Sequence, residues 1–377
     1  MKQCRSCNGH HIEFAMHLDR VPRDVQRLVT KEQLAPDRPV PFDLYQCADC
    51  GLVQAPVSLE STYYDDYLMS TTFSIQLQNY LDGLVDEIVT QYQLQDATVL
   101  DVGCGDGAFM LPFVKRNINV VGIEPSERSR ESADQRGLTV YPGYVAPGVN
   151  IPGGPFTAFV SRQVLEHVTD ISGFLTGIRE NLAPGAIGII EIPRLEKALE
   201  DNRFYDFFPD HVNYFTLDTL STTLKLHGFE VLDLRKTMYD EYNVAVVQLR
   251  QPHKFDAIVQ QRIDLVDQIE TVFANSHAQG QRTAIWGSGA KGLSIMTAMN
   301  TDNLDLVVDS DPNKIGRYIP ANQYCIHEPT ELVSSNIDVV VISAIAYQTI
   351  IIDKLRDMGY LGRVYLIDNL GLVEHCL

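Results

Sequence analysis

Ala97-Thr-Val-Leu-Asp-Val-Gly-Cys-Gly-Asp-Gly107 decides how the rest of the chain is read, because an apolar run ends abruptly in three glycines at alternate positions. Gly103, Gly105 and Gly107 can take backbone conformations closed to residues with a Cβ, and they let a ligand approach the main chain as a nucleotide-binding turn requires. A helix is predicted from about Ala108 to Lys115, with its free N–H groups and positive dipole end aimed at that ligand. The next apolar run, Val120-Val-Gly-Ile123, ends at Glu124, whose carboxylate is placed to accept hydrogen bonds from both hydroxyls of a ribose.

Outward from this turn, strands are predicted near 98–102, 119–123, 157–161 and 186–192, with helices between them. Such alternation implies a doubly wound parallel sheet with helices on both faces. Its ligands bind beyond the carboxyl ends of the strands, which here carry Asp101, Glu124, Arg162 to His167 and Glu191 to Arg194. Pro184-Gly185 reads as the turn into the fifth strand, His227-Gly228-Phe229 as a helix end, and Glu230 to Leu234 with Asn243 to Leu249 as a closing antiparallel hairpin. Upstream, a helical pattern through Leu77, Tyr80, Leu84 and Ile88 follows Tyr63-Tyr-Asp-Asp-Tyr67, a tyrosine-dense run that suits either a pocket wall or a packing surface.

Gly103, Gly105 and Ala108 also satisfy the dinucleotide pattern GxGxxG/A, so a nicotinamide cofactor competes with other nucleotide-like ligands. Three details favour S-adenosylmethionine: Asp101 inside the motif, a third glycine at 107, and the later run Phe159-Val-Ser-Arg-Gln-Val-Leu-Glu-His-Val168. DxGxGxG followed by Leu165-Glu166-His167 resembles the class I methyltransferases. That resemblance implies a cofactor site built from Asp101, Gly103, Cys104, Gly105, Gly107, Glu124, Gln163 and His167.

At the amino end, Cys4-x-x-Cys7 and Cys47-x-x-Cys50 are each followed closely by a glycine. Paired hooks of this kind converge four thiolates into a tetrahedron, so structural zinc is expected, with free or redox-active thiols as the alternative. Four protein ligands close the coordination shell, and the metal then holds a lobe together without doing chemistry; His10 and His11 lie nearby but are not needed. After the fifth strand, Asn202-Arg-Phe-Tyr-Asp-Phe-Phe-Pro-Asp-His-Val-Asn-Tyr-Phe-Thr216 is aromatic and ionisable, and is expected to be a loop facing the cleft. His211 there suits a base near neutral pH, with Asp210 beside it as a substrate contact or second base.

A second strand-turn-helix follows a helical stretch at 255–274: Thr283-Ala-Ile-Trp-Gly-Ser-Gly-Ala-Lys-Gly292. Gly287, Gly289 and Gly292 match GxGxxG, and Asp309 ends the next apolar run, so a Rossmann-like domain is predicted, with further strands at 339–343 and 364–367. Lys291 in the turn points to a phosphate contact more than to a nicotinamide site.

The order of cysteine hooks, DVGCGDG core and GSGAKG domain resembles, over essentially the whole chain, the sugar C-methyltransferases that act on nucleotide-linked deoxysugars in antibiotic biosynthesis. Glu191-Ile-Pro193 and Val307 to Pro320 (VVDSDPNKIGRYIP) agree with it as well. The resemblance implies an N-terminal zinc lobe over 1–62, a methyltransferase core over 63–252 and a C-terminal Rossmann-like domain over 253–377. It also implies His211, Asp210 and Tyr214 as the catalytic group, and Tyr67, Arg194 and Lys291 as acceptor contacts. This chain departs from the family where chemistry should sit: a Tyr-His-Glu-His element is replaced by Phe208-Pro209-Asp210-His211, which keeps the last histidine, shortens the acid and lacks the other two. The altered element leaves open O- or N-methylation of another scaffold, an NAD-dependent oxidoreductase using the second glycine turn, and a non-catalytic cofactor sensor.

Composition narrows the partners. The 377 residues suffice for two or three domains at roughly 100 to 200 residues each, and 45% hydrophobic content fills their cores. A formal charge of −19 repels phosphate backbones, so a small-molecule acceptor is expected and nucleic acid is not. No apolar run of about 18 residues occurs, and Met1 to His11 lacks a signal peptide's apolar core, so a cytoplasmic location away from membranes is expected.

Overall fold

In the computed structural model, residues 2–23, 25, 30–34, 38–57 and 74–377 are described. The chain forms two compact units, Met1–Pro252 and His253–Leu377.

In the first unit a seven-stranded sheet runs in space as Phe229–Thr237, Tyr242–Leu249, Leu182–Pro193, Phe156–Arg162, Thr98–Val102, Asn119–Glu124 and Val140–Pro142. Five strands are parallel, and Tyr242–Leu249 lies antiparallel to both of its neighbours. The strand Thr98–Val102 is central, and its alternate side chains face opposite layers, as strand geometry demands. Leu100 and Val102 join Phe159, Ile190 and Ala245 under the helices Ile171–Glu180 and Leu217–Leu226. Val99 joins Val160, Ile189 and Val246 against Leu81, Leu84 and Ile88 of the helix Ile75–Gln91, whose first turn is capped by Ser74. With helices on both faces, the ligand-accessible edge is the row of strand carboxyl ends.

Two local readings are corrected. The helix after the glycines spans only Leu111–Lys115, with Pro112 in its first turn. Residues 104–110 instead form successive turns, Gly107 N–H donating to the Cys104 carbonyl and Met110 N–H to the Gly107 carbonyl. The main chain of the turn, and no helix terminus, therefore faces the ligand edge. Pro184 and Gly185 lie inside the strand Leu182–Pro193, at a slip in its pairing with Phe156–Arg162.

The amino-terminal segment builds a four-stranded antiparallel sheet from Ile12–Val21, Val40–Cys47, Val53–Gln54 and, from far along the chain, Asn213–Tyr214. Cys4, Cys47, Leu52 and Phe215 enter the same apolar cluster as the central strand. The cysteine lobe is thus continuous with the core through residues that immediately follow His211.

The second unit has a six-stranded sheet in the order Ile326–His327, Leu306–Val308, Thr283–Trp286, Val339–Ile342, Arg363–Ile367, Leu372–His375. Only the last pairing is antiparallel. Its inner strands, TAIW and VVVI, are buried throughout, as a parallel sheet covered on both faces requires.

Candidate active site

A cavity of about 580 Å³ opens at the carboxyl ends of the parallel strands, where Asp101, Gly103, Cys104, Gly105, Glu124, Gln163 and His167 all line it. Phe109, Val145 and Phe174 add apolar wall, so the pocket combines a broad apolar surface with a few placed polar groups.

Each glycine of the turn has its own role. Gly103, Gly105 and Gly107 all sit at positive φ (72°, 54° and 77°). A Cβ on Gly103 would stand 2.5 Å from Val164 and one on Gly107 would stand 2.3 Å from Leu138, whereas a Cβ on Gly105 would meet nothing within 4 Å. Gly105 therefore presents bare main chain to open cavity. Gly107 does not line the cavity; it lets the turn pack against Leu138.

Glu124 is tied to this turn by its side chain. Gly105 N–H donates to Oε2 at 3.0 Å and Ser126 N–H donates to Oε1 at 2.9 Å. Burial pushes its pKa up, and those two N–H groups oppose the shift. Asp101 is buried with Oδ2 lacking a hydrogen-bond partner, and burial pushes its pKa up to about 7. An unpartnered acceptor, a bare glycine main chain and a ribose-height carboxylate fit the ammonium, the linker and the sugar of S-adenosylmethionine. Burial, with Asp101 and Glu124 adding, holds the Cys104 thiol well above its ordinary range, so a neutral thiol faces the pocket.

The wall beyond the turn rests on a buried ion pair. Arg162 Nε donates to Glu191 Oε1 at 2.9 Å, Tyr80 donates to Glu191 Oε2, and the guanidinium lies 5.0 Å from the Phe109 ring centroid. Gln163 follows in a left-handed conformation (φ 53°), its N–H held by the Glu191 carbonyl at 2.7 Å. The chain then enters the 3-10 turn Leu165–His167. His167 Nδ1 donates to the Asp210 carbonyl at 2.7 Å, which leaves Nε2 as the lone-pair nitrogen of the neutral ring; burial lowers its pKa to about 4.

Of the expected catalytic group, His211 packs on the cavity-lining His167. Its ring meets His167 edge-on with centroids 4.7 Å apart and lies 4.4 Å from the Phe208 ring. Burial, then His167, lowers its pKa well below the usual value. The segment 202–216 does not line the cavity, contrary to expectation; it backs the His167 wall. Tyr214 is buried, its hydroxyl accepting from the Phe208 N–H at 3.1 Å and donating to the Phe208 carbonyl at 3.2 Å, so it fixes the loop. Asp210 is fully buried, and its carbonyl positions His167. Arg194, expected as an acceptor contact, is buried, with its guanidinium on Glu200 at 2.5 Å and Nε 3.7 Å from Glu196. Tyr67 and the rest of its tyrosine run lie outside the described residues. Glu166 was not anticipated. It is 2% exposed, neither carboxylate oxygen has a hydrogen-bond partner, and burial pushes its pKa up to about 8, with Asp210 and Glu191 adding to the shift. Its only trace in the sequence is its place beside His167.

The four cysteines converge as expected. Cys4 and Cys50 sulfurs are 3.5 Å apart and Cys7 and Cys47 sulfurs 3.6 Å apart, with all four sulfurs within 4.8 Å of one another. A disulfide needs about 2.05 Å, whereas four sulfurs at about 2.3 Å from a central ion stand roughly 3.8 Å apart, so the set fits a tetrahedral ion. The lobe is pinned to the active loop by Arg5, which donates from its guanidinium to the Val212 carbonyl at 2.9 Å and the Val57 carbonyl at 3.0 Å.

In the second unit, Asp309 Oδ2 accepts from Ser288 N–H and Oγ, both at 2.7 Å, and from Lys314 Nζ at 2.9 Å. Its acceptor capacity is committed within the protein, which disfavours a ribose there. Lys291 is exposed.

Comparisons with known proteins agree with this geometry. Residues 73–234 match the family described as a methyltransferase domain, and residues 231–367 match the C-methyltransferase C-terminal domain. The chain is 24% identical to the C-methyltransferase NovU of Streptomyces niveus over 97% of its own length and 94% of that protein. A ubiquinone biosynthesis O-methyltransferase of Cereibacter sphaeroides is 31% identical over 28% of this chain, which spans about half (49%) of that enzyme. Among solved structures, the PH0226 protein of Pyrococcus horikoshii aligns over 51% of this chain and all of its own (100%) with a TM-score of 0.42 and 15% identity. Magnesium protoporphyrin IX methyltransferase of Synechocystis with bound S-adenosylhomocysteine aligns over 50% of this chain and 91% of that one, with a TM-score of 0.39 and 17% identity.

Proposed function

Because the chain is an S-adenosylmethionine-dependent class I methyltransferase, we propose that its acceptor is a carbon beside the carbonyl of a small sugar, carried on a nucleotide. The observation that carries this reading is the similarity to a C-methyltransferase along the full length of both chains, cysteine lobe and final domain included. O-methylation, as in the ubiquinone enzymes, is the second reading, favoured by the 31% identity within the core.

In this reading Gly103 and Gly105 shape the cofactor turn, Glu124 takes the ribose hydroxyls and Asp101 takes the ammonium group. Bound there, S-adenosylmethionine supplies an electrophilic methyl group on a cationic sulfur. His211 removes the proton from the acceptor carbon, and the freed electron pair forms the new carbon–methyl bond. Its depressed pKa keeps the imidazole unprotonated at neutral pH, so a lone pair is always ready. Asp210 holds His167 through its carbonyl, and His167 in turn packs on His211. Zinc held by Cys4, Cys7, Cys47 and Cys50 is assigned a structural role: through Arg5 and the pairing of Val53–Gln54 with Asn213–Tyr214 it steadies the loop that carries the base. Lys291 and the N–H groups opening the helix Ala290–Ala298 are the contacts this reading assigns to an acceptor phosphate.

The test is a mass-spectrometric search for a +14 Da product across nucleotide sugars and other metabolites, followed by location of the methyl group by NMR. A methyl on carbon supports the proposal; a methyl on oxygen or nitrogen overturns it in favour of the second reading. His211→Ala is expected to lower kcat by 10²–10⁴-fold, the usual range for a positioned base, with S-adenosylhomocysteine affinity unchanged. Near-normal turnover of that variant removes His211 from the mechanism.

A further inference from the structure

We propose that Glu166, His167 and His211 form a second metal site, for a divalent first-row transition ion, at the wall of the cofactor cavity. One carboxylate oxygen of Glu166 and one ring nitrogen from each histidine lie within 4.8 Å of one another. His167 Nε2 stands 3.9 Å from Glu166 Oε1. Ligands at about 2.0–2.2 Å from a shared ion stand roughly 3–3.5 Å apart, so closure needs movements between about half an ångström and about one and a half at side-chain tips.

Two independent features point to a ligand. The first is Glu166 itself, 2% exposed, with both oxygens buried and without a hydrogen-bond partner. A buried polar group left in that state costs several kcal/mol in order of magnitude, and nine in ten such groups in proteins are satisfied. A cation between the carboxylate and the two imidazoles supplies the missing partner. The second is the tautomer of His167. A carbonyl only accepts, so the 2.7 Å contact from Nδ1 to the Asp210 carbonyl fixes the proton on Nδ1 and turns the Nε2 lone pair toward Glu166. Metal-bound histidines characteristically donate their other ring N–H to a carbonyl or carboxylate in this way. Asn213 reinforces the arrangement, its amide donating to the Leu165 and Val168 carbonyls at 3.0 and 2.7 Å and holding the turn that carries Glu166 and His167.

Two imidazoles and one carboxylate select manganese, iron, cobalt or zinc over calcium and magnesium, which favour all-oxygen shells. Three protein ligands leave coordination positions open, unlike the closed four-cysteine set. Since His167 lines the cavity, those positions lie where an acceptor oxygen can bind, and the ion polarises the acceptor carbonyl. This role rests on the methyl-transfer reading but takes the place of His211 as the base: with its lone pair on the ion, His211 would not take the acceptor proton, which would pass to a hydroxide at an open position of the ion; ion binding rests on neither.

The experiment uses the full chain with zinc retained on the cysteines. Mn²⁺ is titrated in, and loss of the free-ion signal is followed by electron paramagnetic resonance. Saturable uptake of one Mn²⁺ per chain is expected, weakened about 10-fold or more in both Glu166→Gln and His211→Ala, with unchanged zinc content. Pulsed measurements on the wild type are expected to show coupling from imidazole nitrogen. No uptake by the wild type at millimolar Mn²⁺, equal uptake by both variants, or a bound signal without nitrogen coupling overturns the site. Should either variant fail to bind S-adenosylhomocysteine, and so report misfolding, the nitrogen coupling of the wild type decides alone. Uptake without methyl transfer to any tested acceptor would keep the site and remove the proposed function; methyl transfer without uptake would do the reverse.

Discussion

Two glycine turns in this chain follow the same pattern, a buried strand, a GxG turn and an acid closing the next strand, yet their acids live in opposite surroundings. Glu124 accepts from the main-chain N–H groups of Gly105 and Ser126, with no side chain among the described residues bonded to its carboxylate; Arg130 lowers its pKa from nearby, but burial in the wall of a large cavity outweighs this and the pKa rises. Asp309 opposes burial with Ser288 and the Lys314 ammonium, and its pKa falls to about 2. One acid is kept ready for an incoming donor. The other has been consumed to brace its own loop. A glycine pattern therefore specifies how the main chain turns, while a cation bonded directly to the acid, as Lys314 is to Asp309, takes up the acceptor that a ribose would need.

The largest effect on binding that would break this contrast falls on cofactor affinity. Glu124→Ala is expected to weaken S-adenosylhomocysteine binding about 100-fold, or ~2.7 kcal/mol, in line with ~1.5–3 kcal/mol for a hydrogen bond to a charged group. Asp309→Ala should leave that affinity unchanged and instead lower the stability of the second unit, whose unfolding is reported by the sole tryptophan, Trp286. Calorimetric titration of both variants decides the matter; equal binding losses would erase the distinction.

On stability, the contrast is a difference of sign with pH. Asp101 titrates at about 7 in the fold against 3.8 unfolded. The fold thus retains its proton, and a penalty absent below pH 3.8 grows until it is complete above about pH 7. Asp101→Asn should accordingly stabilise the apo protein at pH 8, by up to about 4 kcal/mol at ~1.4 kcal/mol per pKa unit, and change little near pH 4. Asp309 titrates at about 2 against 3.8, so its contribution of about 2 kcal/mol is present above pH 3.8 and is lost as pH falls through 2. Asp309→Asn should destabilise at pH 7 and lose its effect in acid. Urea denaturation at pH 8 and 4 for Asp101→Asn, and at pH 7 and about 2 for Asp309→Asn, checks both slopes.

The smallest effect concerns Lys291. Lys291→Ala is expected to raise KM about two- to fivefold for a phosphate-bearing acceptor, matching ~0.3–1 kcal/mol at a helix start, with cofactor affinity and use of a phosphate-free acceptor unchanged. Equal losses with both acceptors would make Lys291 structural and leave the second turn without a ligand of any kind.

What the sequence conveyed follows the same division. The core strands were readable because local periodicity and flanking glycines encode them, and Asp101, Gly103, Gly105 and Glu124 meet at the cavity because their spacing is set by one strand-turn-strand unit. The helix start after the turn was misread because Gly107 and Pro112 delay helical pairing to Leu111, a balance of turn against helix that periodicity does not register. Arg194 and Tyr214 looked like ligand contacts because they are polar residues after a strand end; their partners are Glu200 and the Phe208 main chain. The meeting of Glu166 with His211 was illegible for a different reason. It depends on Asn213–Tyr214 pairing with Val53–Gln54, a long-range contact with no local signature.

That pairing has a kinetic consequence. Arg5 and its partner carbonyl on Val212 are 207 residues apart, so a ribosome adding roughly 5–20 residues per second leaves about 10 to 40 s between the emergence of the first thiols and that of the strand that completes their sheet. Throughout that interval Cys4 and Cys7 lack the neighbour that seals them. Oxidants or competing soft metals reaching the nascent chain would thus reduce the yield of active enzyme without altering the turnover of any molecule that has finished folding.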